Sequence, residues 1–335
     1  MPSKSASLIA GMAAAVVGLA VVTAGFLVGV WAVLYGLFSF LDVTSASRVA
    51  AGSTALTVVT VGYLEYRQID AIERAADAER IDSADEPALY ELVTRVATQL
   101  DVPVPTVALS ERRAPEALVV GFRPGNVHLI LSRGTLDALE ETAELEAVIA
   151  HELAHAKNRD AMVMTAVSLP VILAKGLSTR LAEIENPGWA AAFIVALGFV
   201  STAVWGVGKA ITARLSRVRE RAADRVAAEI TGSPAALASA LRRLDRDIAE
   251  TPNRDLRDAS GVSSLSILSL EPAEPEKVML GPEGDTEPSY WWLRTRLHRF
   301  RRWLFRTHPE TEDRIERLAA DERSRERRAP SERRT

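Results

Sequence analysis

Two histidines and a glutamate, spaced as His151-Glu152-x-x-His155, are the residues best suited to do chemistry in this sequence. On a helix, side chains four residues apart lie on one face, so both imidazoles can reach one zinc ion. Glu152 then lies beside the open coordination position, where it can take a proton from water and pass it to a leaving amine. The pattern predicts a catalytic zinc site, with a solvated helix face as the alternative.

A catalytic zinc needs a third protein ligand. The sequence has no cysteine, which excludes disulfides and thiolate ligands, and positions 158 and 161 are Asn and Ala, so no histidine follows at the downstream spacing. Glu220 is the best candidate, because Asp224 falls on the same helix face one turn later and the alanines between them permit close helix approach. Asp224 would orient a ligand histidine or a transition-state group. Spacing alone fits an ordinary exposed charged helix equally well.

The elements that must position these residues lie in a soluble region from residue 69 to about residue 160. Short β-like runs bounded by Pro and Gly predict strands at Thr106–Leu109, Ala117–Gly121 and Val127–Leu131. Asp137–Arg159 has apolar residues at helical spacing and is predicted to be the helix that carries the two histidines. This region is therefore expected to be a small α+β domain.

Four apolar segments flank this domain and predict two membrane hairpins. Leu8–Leu41 contains no charged residue, and Val49–Leu64 follows it after a polar turn. Ala161–Leu177 and Trp189–Ile211 form the second pair. A cleaved signal peptide is the competing interpretation of the first segment, and two buried helices of a soluble core are the alternative for the second pair, whose first member is short for a span.

Flanking positive charge predicts the orientation of these spans, because Lys and Arg near short loops favour the cytoplasm. Lys4, Arg67 and the Arg214–Arg225 cluster agree on this. With four spans, both termini and the soluble domain would lie on the cytoplasmic side. The sequence thus predicts a multi-pass integral protein of the cell membrane with its active site facing the cytoplasm.

The segment Tyr290–Arg306 combines tryptophans, leucines and phenylalanines with six arginines, the composition of a helix lying in a membrane interface. A nucleic-acid-binding helix is the rival interpretation. Because the same chain has predicted membrane spans, we expect lipid rather than nucleic acid as the partner of this segment. The net charge of −4, with both signs interspersed, does not call for nucleic acid either. From about Asp321 the chain is highly charged, and a disordered tail is predicted.

Several motifs, in this order along the chain, resemble the HtpX family of membrane zinc proteases, relatives of the prenyl-protein (CAAX) endoproteases. After the first two predicted spans, His151–His155 continues into Asn158-Arg159-Asp160. The second hairpin, Glu220-x-x-x-Asp224 and Thr307-His308-Pro309 leading to Arg314-Ile315 follow. The resemblance covers nearly the whole chain.

The resemblance implies a gluzincin-type endopeptidase with one Zn²⁺ per chain. It implies His151, His155 and Glu220 as metal ligands, Glu152 as general base, and a role in membrane-protein quality control. Asp224 matches a position to which the prenyl-protease branch assigns proton donation. Where the family commonly has Pro-Asn-Ala-Phe before a β-hairpin, this chain has Pro115-Glu116-Ala117-Leu118, which puts an Asn-mediated substrate contact there in doubt.

The related fold also receives substrate as an added strand at a sheet edge beside the zinc helix, and Val127–Leu131 is the segment predicted to do this. His128 within it is expected to be an exposed strand residue rather than a ligand, because alternation turns it away from its neighbours. His308 is expected either to approach the active site and support an oxyanion or to have a capping or structural role.

Taken together, the sequence predicts a mainly α membrane protein with a small α+β gluzincin-type zinc metalloprotease domain. The expected order is a transmembrane hairpin (1–66), a first catalytic segment (67–160), a second hairpin (161–212), a second catalytic segment that includes the interfacial helix (213–320) and a tail (321–335). The expected function is cleavage of damaged or misfolded membrane proteins and peptides. The alternatives are a prenyl-protein processing protease, an inactive membrane scaffold and a transporter-like channel.

Overall fold

The computed structural model describes residues 2–75, 78–123, 126–158, 160–251 and 290–332. Its strands are β1 (Ala78–Arg80), β2 (Thr106–Ser110), β3 (Ala117–Arg123) and β4 (Asn126–Ser132). Its helices are α1 (Pro2–Phe40), α2 (Ala46–Ala75), α3 (Pro87–Leu100), α4 (Arg133–Ala138), α5 (Thr142–Lys157), α6 (Asp160–Ala182), α7 (Ala191–Thr231), α8 (Pro234–Glu250), α9 (Trp291–Phe305) and α10 (Thr311–Glu332). The chain divides into two compact units, Met1–Ala75 with Val163–Val218, and Ala76–Met162 with Arg219–Thr335.

The first unit is built from apolar helices. Among the described residues, two helical stretches are long and apolar enough to cross a membrane, Ala13–Phe40 and Gly188–Thr231. α1 and α7 approach closely at Gly29, where a Cβ would lie 2.6 Å from a Val200 methyl carbon. The hairpin partners α2 and α6 are helical as predicted, but within the described ranges only α1 and α7 contain stretches apolar enough for a span by this criterion.

Two lysines interrupt the apolar helices α6 and α7 of this unit, and both lie over one aromatic ring. The Nζ atoms of Lys175 and Lys209 are 5.0 Å and 5.6 Å from the centre of the Trp205 ring. An ammonium group within about 6 Å of an indole face is attracted by the ring quadrupole. Each lysine therefore has a favourable contact for its charge within the unit.

The second unit contains the sheet, in the order β1-β2-β4-β3. β4 pairs in parallel with β2 and antiparallel with β3, and β1 pairs antiparallel with β2. The three predicted strands are present, but the prediction that Val127–Leu131 is an edge strand is wrong, because β4 is paired on both sides. On this side of the sheet the edge strand is β3.

Helices pack against this sheet through apolar faces at helical spacing. In α3 the buried residues Leu89, Val93, Val96 and Leu100 recur every three or four positions. The helix ends at Leu100 and is followed by Asp101, which adopts a left-handed conformation with φ 55°. The same apolar cluster includes residues of β2, β4, α5 and α8, so one core supports the α5 helix.

The predicted helix Asp137–Arg159 covers the end of α4 and the whole of α5, with a break between them at residues 139–141, and its last residue lies outside the described residues. α4 is capped by Ser132, whose side chain accepts a hydrogen bond from the Thr135 backbone N–H. The buried Glu144 in the first turn of α5 lies 3.0 Å from the Arg243 Nε atom of α8. This ion pair fixes the start of α5 against α8.

The C-terminal helix α10 runs to Glu332, well past Asp321, the point predicted to begin a disordered tail. Glu, Arg and Ala are strong helix formers, and opposite charges four residues apart stabilise a solvated helix. Composition of this kind therefore also fits a helix that is anchored at its start, here by the buried Ile315 and Leu318. The overall class, mainly helical with a small sheet in one unit, is as predicted.

Candidate metal centre

The helix α5 carries both histidines of the His-Glu-x-x-His pattern into the interior of the second unit. Its flanking residues Val148, Ile149 and Leu153 are buried in the apolar core, which fixes the rotation of the helix about its axis. His151 and Glu152 are buried, whereas the side chain of His155 is 17% exposed. Within this pair of histidines, solvent therefore reaches the His155 side.

The helix α7 brings Glu220 to these histidines. The Nε2 atoms of His151 and His155 are 3.2 Å apart. Glu220 Oε2 lies 3.4 Å from His151 Nε2, and Glu220 Oε1 lies 3.5 Å from His155 Nε2. These three side chains form a cluster able to hold a metal ion.

The spacing of these atoms can be tested against zinc geometry. Two ligands about 2.0–2.2 Å from zinc at a tetrahedral angle are about 3.3–3.5 Å apart. The two histidine nitrogens, 3.2 Å apart, are close to this separation. Each of them has a different Glu220 oxygen nearby, Oε2 at 3.4 Å from His151 and Oε1 at 3.5 Å from His155. With one ligand atom taken from each residue, the three atoms lie within 4.8 Å of one another. The donor set of two imidazole nitrogens and one carboxylate is also that of catalytic zinc sites. The residues fit Zn²⁺.

Asp224 lies one helical turn beyond Glu220 and fixes the orientation of His151. Its Oδ1 atom is 3.0 Å from His151 Nδ1. An ionised carboxylate at this distance favours the tautomer with the proton on Nδ1, which leaves the Nε2 lone pair facing Glu220 and His155. A histidine held in this way is prepared to bind a metal through Nε2.

Arg314 of α10 completes this chain of contacts. Its guanidinium is buried and donates to Asp224 through Nε at 3.0 Å and Nη2 at 2.6 Å. Its Nη1 lies 3.8 Å from Glu220 Oε2. Burial lowers the pKa of Arg314, but Asp224 and Glu220 outweigh it and raise the pKa above its usual value. The two-point contact holds the Asp224 carboxylate in one plane.

The charge of the centre suits a divalent cation. In the part of the centre that the structure describes, the buried carboxylates of Glu152, Glu220 and Asp224 face the guanidinium of Arg314. The three carboxyl groups outnumber the one guanidinium. Burial lowers the pKa of His151, but the nearby carboxylates of Asp224 and Glu220 outweigh this and bring the pKa to about 9. The surroundings therefore favour positive charge at the point where the ligand atoms meet.

Glu152 belongs to the same centre, but its carboxyl group has a different set of contacts from that of Asp224. Its carboxylate accepts a hydrogen bond from the backbone of Val119 on the edge strand β3. Its buried Oε1 atom has no hydrogen-bond partner among the described residues. Burial raises the pKa of Glu152 to about 8, against the attraction of His151. One carboxylate oxygen is thus left available for chemistry beside the cluster.

The family of this chain follows from its similarity to known proteins. The profile of peptidase family M48 matches residues 83–322. The chain belongs to peptidase family M48. It is 34% identical over 301 residues to "Protease HtpX homolog 1" of Streptomyces coelicolor, spanning 87% of this chain and 90% of that protein. "Protease HtpX homolog" of Acaryochloris marina is 30% identical over 313 residues, 88% of this chain and 94% of that protein.

A further relative, "Protease HtpX homolog 2" of Methanosarcina acetivorans, is 36% identical over 192 residues, 56% of this chain and 65% of that protein. A crystal structure of Ste24p from S. mikatae aligns with a TM-score of 0.44 and 14% identity, covering 85% of this chain and 66% of that one. The resemblance to the HtpX family is confirmed, and this M48 chain is a metallopeptidase.

The structure brings together all five residues predicted to form the site, His151, Glu152, His155, Glu220 and Asp224. It adds His308, whose Nδ1 is 3.5 Å from Glu220 Oε1. It also adds Arg314, which the sequence places in a motif of the HtpX family without predicting a function for it. His128 lies on β4, outside the cluster of possible metal ligands.

Proposed function

We propose that this M48 metallopeptidase is a membrane-embedded zinc endopeptidase that cleaves damaged or misfolded membrane proteins. The observation that supports this most is the cluster of His151, His155 and Glu220, a donor set that zinc prefers, beside an oxygen of Glu152 that has no hydrogen-bond partner among the described residues. His151, His155 and Glu220 would hold one Zn²⁺. When bound, zinc supplies a Lewis acid that polarises a carbonyl and lowers the pKa of water.

Glu152 is the general base on this proposal. Its Oε1 atom, which has no hydrogen-bond partner among the described residues, can take a proton from the attacking water. The proton then passes to the amine that leaves as the peptide bond breaks. The Val119 backbone contact holds the carboxylate in place during both transfers.

Asp224 acts on this proposal through His151 rather than as the proton donor to the leaving group. A proton donor must be protonated, whereas Asp224 accepts two hydrogen bonds from the buried Arg314 and lies 3.0 Å from His151 Nδ1. Both partners stabilise the ionised carboxylate. Asp224 is therefore a positioning residue for a metal ligand.

His308 is positioned to stabilise negative charge on the substrate. It is buried, and its Nε2 atom has no hydrogen-bond partner among the described residues, while Nδ1 lies 3.5 Å from Glu220 Oε1. A buried imidazole with donor capacity to spare is suited to an oxyanion that forms only during the reaction. Its contact with Glu220 would keep it aimed at the metal centre.

The substrate would bind along β3 as an added strand. β3 has one side paired with β4 and lies at the edge of the sheet order, and its Val119 contacts Glu152 of α5. An extended peptide paired with β3 would bring a backbone carbonyl next to the catalytic carboxylate. This replaces the segment 127–131, which lies inside the sheet.

The proposed organisation retains the boundaries expected from the sequence, with hairpins at 1–66 and 161–212 and a catalytic domain divided between 67–160 and 213–320. The charge pattern supports a multi-pass protein whose catalytic residues face the cytoplasm. The substrates on this proposal are protein chains that enter from, or are embedded in, the same membrane.

The test is degradation of an unfolded protein such as casein by the full chain, purified in detergent and supplied with zinc. Glu152→Gln is expected to keep the metal and lose cleavage, because the amide cannot accept the proton. Glu91→Gln, an exposed residue on α3, is the matched control and is expected to cleave normally. Equal cleavage by the Glu152→Gln variant and the unaltered protein, each with full zinc content, would contradict the proposal.

A further inference from the structure

The helix α9 has its apolar side chains on the outside of the second unit. Trp292, Phe300 and Trp303 are 66%, 55% and 71% exposed. Leu293 and Leu297 are exposed as well. By contrast, the polar residues at positions 295 and 298 are partly buried. A surface helix of a soluble domain has the opposite arrangement, so this helix face requires a partner.

The apolar residues of α9 form one stripe along the helix. At about 100° per residue, the positions 292, 293, 297, 300, 303 and 304 fall within an arc of about 140°. Arg294 and Arg301 border one side of this stripe, Arg299 borders the other, and Arg296 lies within it. A tryptophan lies near each end of the helix. Arginines on or beside an apolar stripe can extend to a charged surface while the apolar groups insert.

The charge of the segment identifies the kind of partner. Residues 290–306 contain six arginines and no aspartate or glutamate. An anionic surface with an apolar layer just beneath it would match both the arginines and the stripe. The headgroup and acyl boundary of an anionic bilayer has this chemistry. The same chain has two helices long and apolar enough to cross a membrane, which makes a bilayer available as the partner of this helix.

A second copy of the chain fits these features less well. In a twofold dimer the same patch would face itself, so the arginines on both margins would approach arginines of the other copy. A nucleic acid would neutralise the arginines, but most of the leucine and phenylalanine surface would gain no apolar contact.

We propose that α9 docks on the surface of an anionic lipid bilayer, with Trp292, Leu297, Phe300 and Trp303 inserted and the flanking arginines on lipid phosphates. The helix ends at Phe305, three residues before His308, which contacts Glu220. Lipid docking would therefore fix one end of the segment that brings His308 to the metal centre. The proposal concerns lipid binding alone and does not depend on proteolysis.

The chain has no cysteine, so a single introduced thiol can report on this helix. Leu297→Cys in the full chain is labelled with an environment-sensitive nitrobenzoxadiazole dye and placed in nanodiscs of phosphatidylcholine, with or without phosphatidylglycerol. A blue-shifted, brighter emission is expected only with phosphatidylglycerol. The same dye at Glu91→Cys on α3 is expected to report water in both lipids.

Charge is tested by adding Arg294→Gln and Arg301→Gln to the labelled chain. At about 1 kcal/mol per arginine near an anionic surface, the ratio of docked to undocked helix is expected to fall about thirty-fold. The matched control is Arg242→Gln with Arg246→Gln, two exposed arginines of α8, which is expected to leave the ratio unchanged.

Three results would overturn the proposal. The dye at position 297 could remain in water in both lipids. It could be shielded equally in phosphatidylcholine and in detergent, which would assign the stripe to a protein partner, and dependence on protein concentration would identify a second copy. It could be shielded in detergent only when a single-stranded RNA is added, which would assign the helix to nucleic acid.

Discussion

Replacing Arg314 by leucine tests how far the metal centre depends on a side chain 90 residues along the chain from Asp224. Leucine removes donors at 3.0 Å and 2.6 Å and leaves the Asp224 carboxylate buried, with His151 as its remaining close partner among the described residues. Breaking one side of a buried ion pair costs about 3–5 kcal/mol. For a unit of this size, that corresponds to a decrease in Tm of roughly 6–20 °C.

The same substitution is expected to weaken metal binding. Without Arg314, the Asp224 carboxylate is free to rotate, and the proton on His151 Nδ1 loses its fixed acceptor. Changes to residues that orient metal ligands typically lower affinity by about 10–100-fold. The assay is competition for zinc between the full chain in detergent and a chromophoric chelator, together with Tm measured with and without zinc.

Two further variants make the result specific. Arg317→Leu removes an exposed arginine from the same helix, and it is expected to change neither zinc affinity nor Tm appreciably. Adding Asp224→Asn to Arg314→Leu removes the unpaired charge, so part of the lost Tm should return while zinc affinity stays low. If Arg314→Leu binds zinc as tightly as Arg317→Leu does, the reasoning that Arg314 supports the centre through Asp224 is refuted.

Three other outcomes are expected. Residues that only orient metal ligands lower metal affinity by up to about 100-fold when they are replaced, and Glu220→Gln should lower zinc affinity by more than this. Retention of one zinc per chain after dialysis would argue against Glu220 as a ligand. His308→Ala should keep the metal and lower kcat about 100–1000-fold with little change in KM, and unchanged kcat would leave His308 a structural role. At Gly134 an added Cβ would overlap the carbonyl oxygen of Arg113, so Gly134→Ala should cost about 1–3 kcal/mol or more in unfolding free energy; Gly206→Ala, with open space around it, is the control for the Tm comparison.

The chemical core of the site could be predicted because its information is local. His151, Glu152 and His155 lie within five residues of one helix, and Glu220 and Asp224 lie one turn apart on another. Helical geometry alone places each set on one face. The three strands could be predicted nearly to their ends for the same reason, since turn residues bound each apolar run.

What the sequence could not provide depends on contacts between distant segments. In the order β1-β2-β4-β3, β2 pairs in parallel with β4 although β3 lies between them in the sequence. No local sequence pattern specifies that pairing. The sequence does not predict the role of Arg314, because an arginine in a highly charged helix ordinarily faces solvent. The break between α4 and α5 was missed because neither Pro nor Gly marks residues 139–141.

The position of β3 at the sheet edge has a consequence for selectivity. A strand that binds its partner through backbone N–H and C=O groups offers nearly the same interaction to every amino-acid sequence. What it discriminates is whether a stretch of chain is free to become extended, and in a folded protein such stretches are already paired or covered. A protease that loads its substrate in this way would sort proteins by the availability of unpaired backbone, so loss of native structure would itself be the recognition signal.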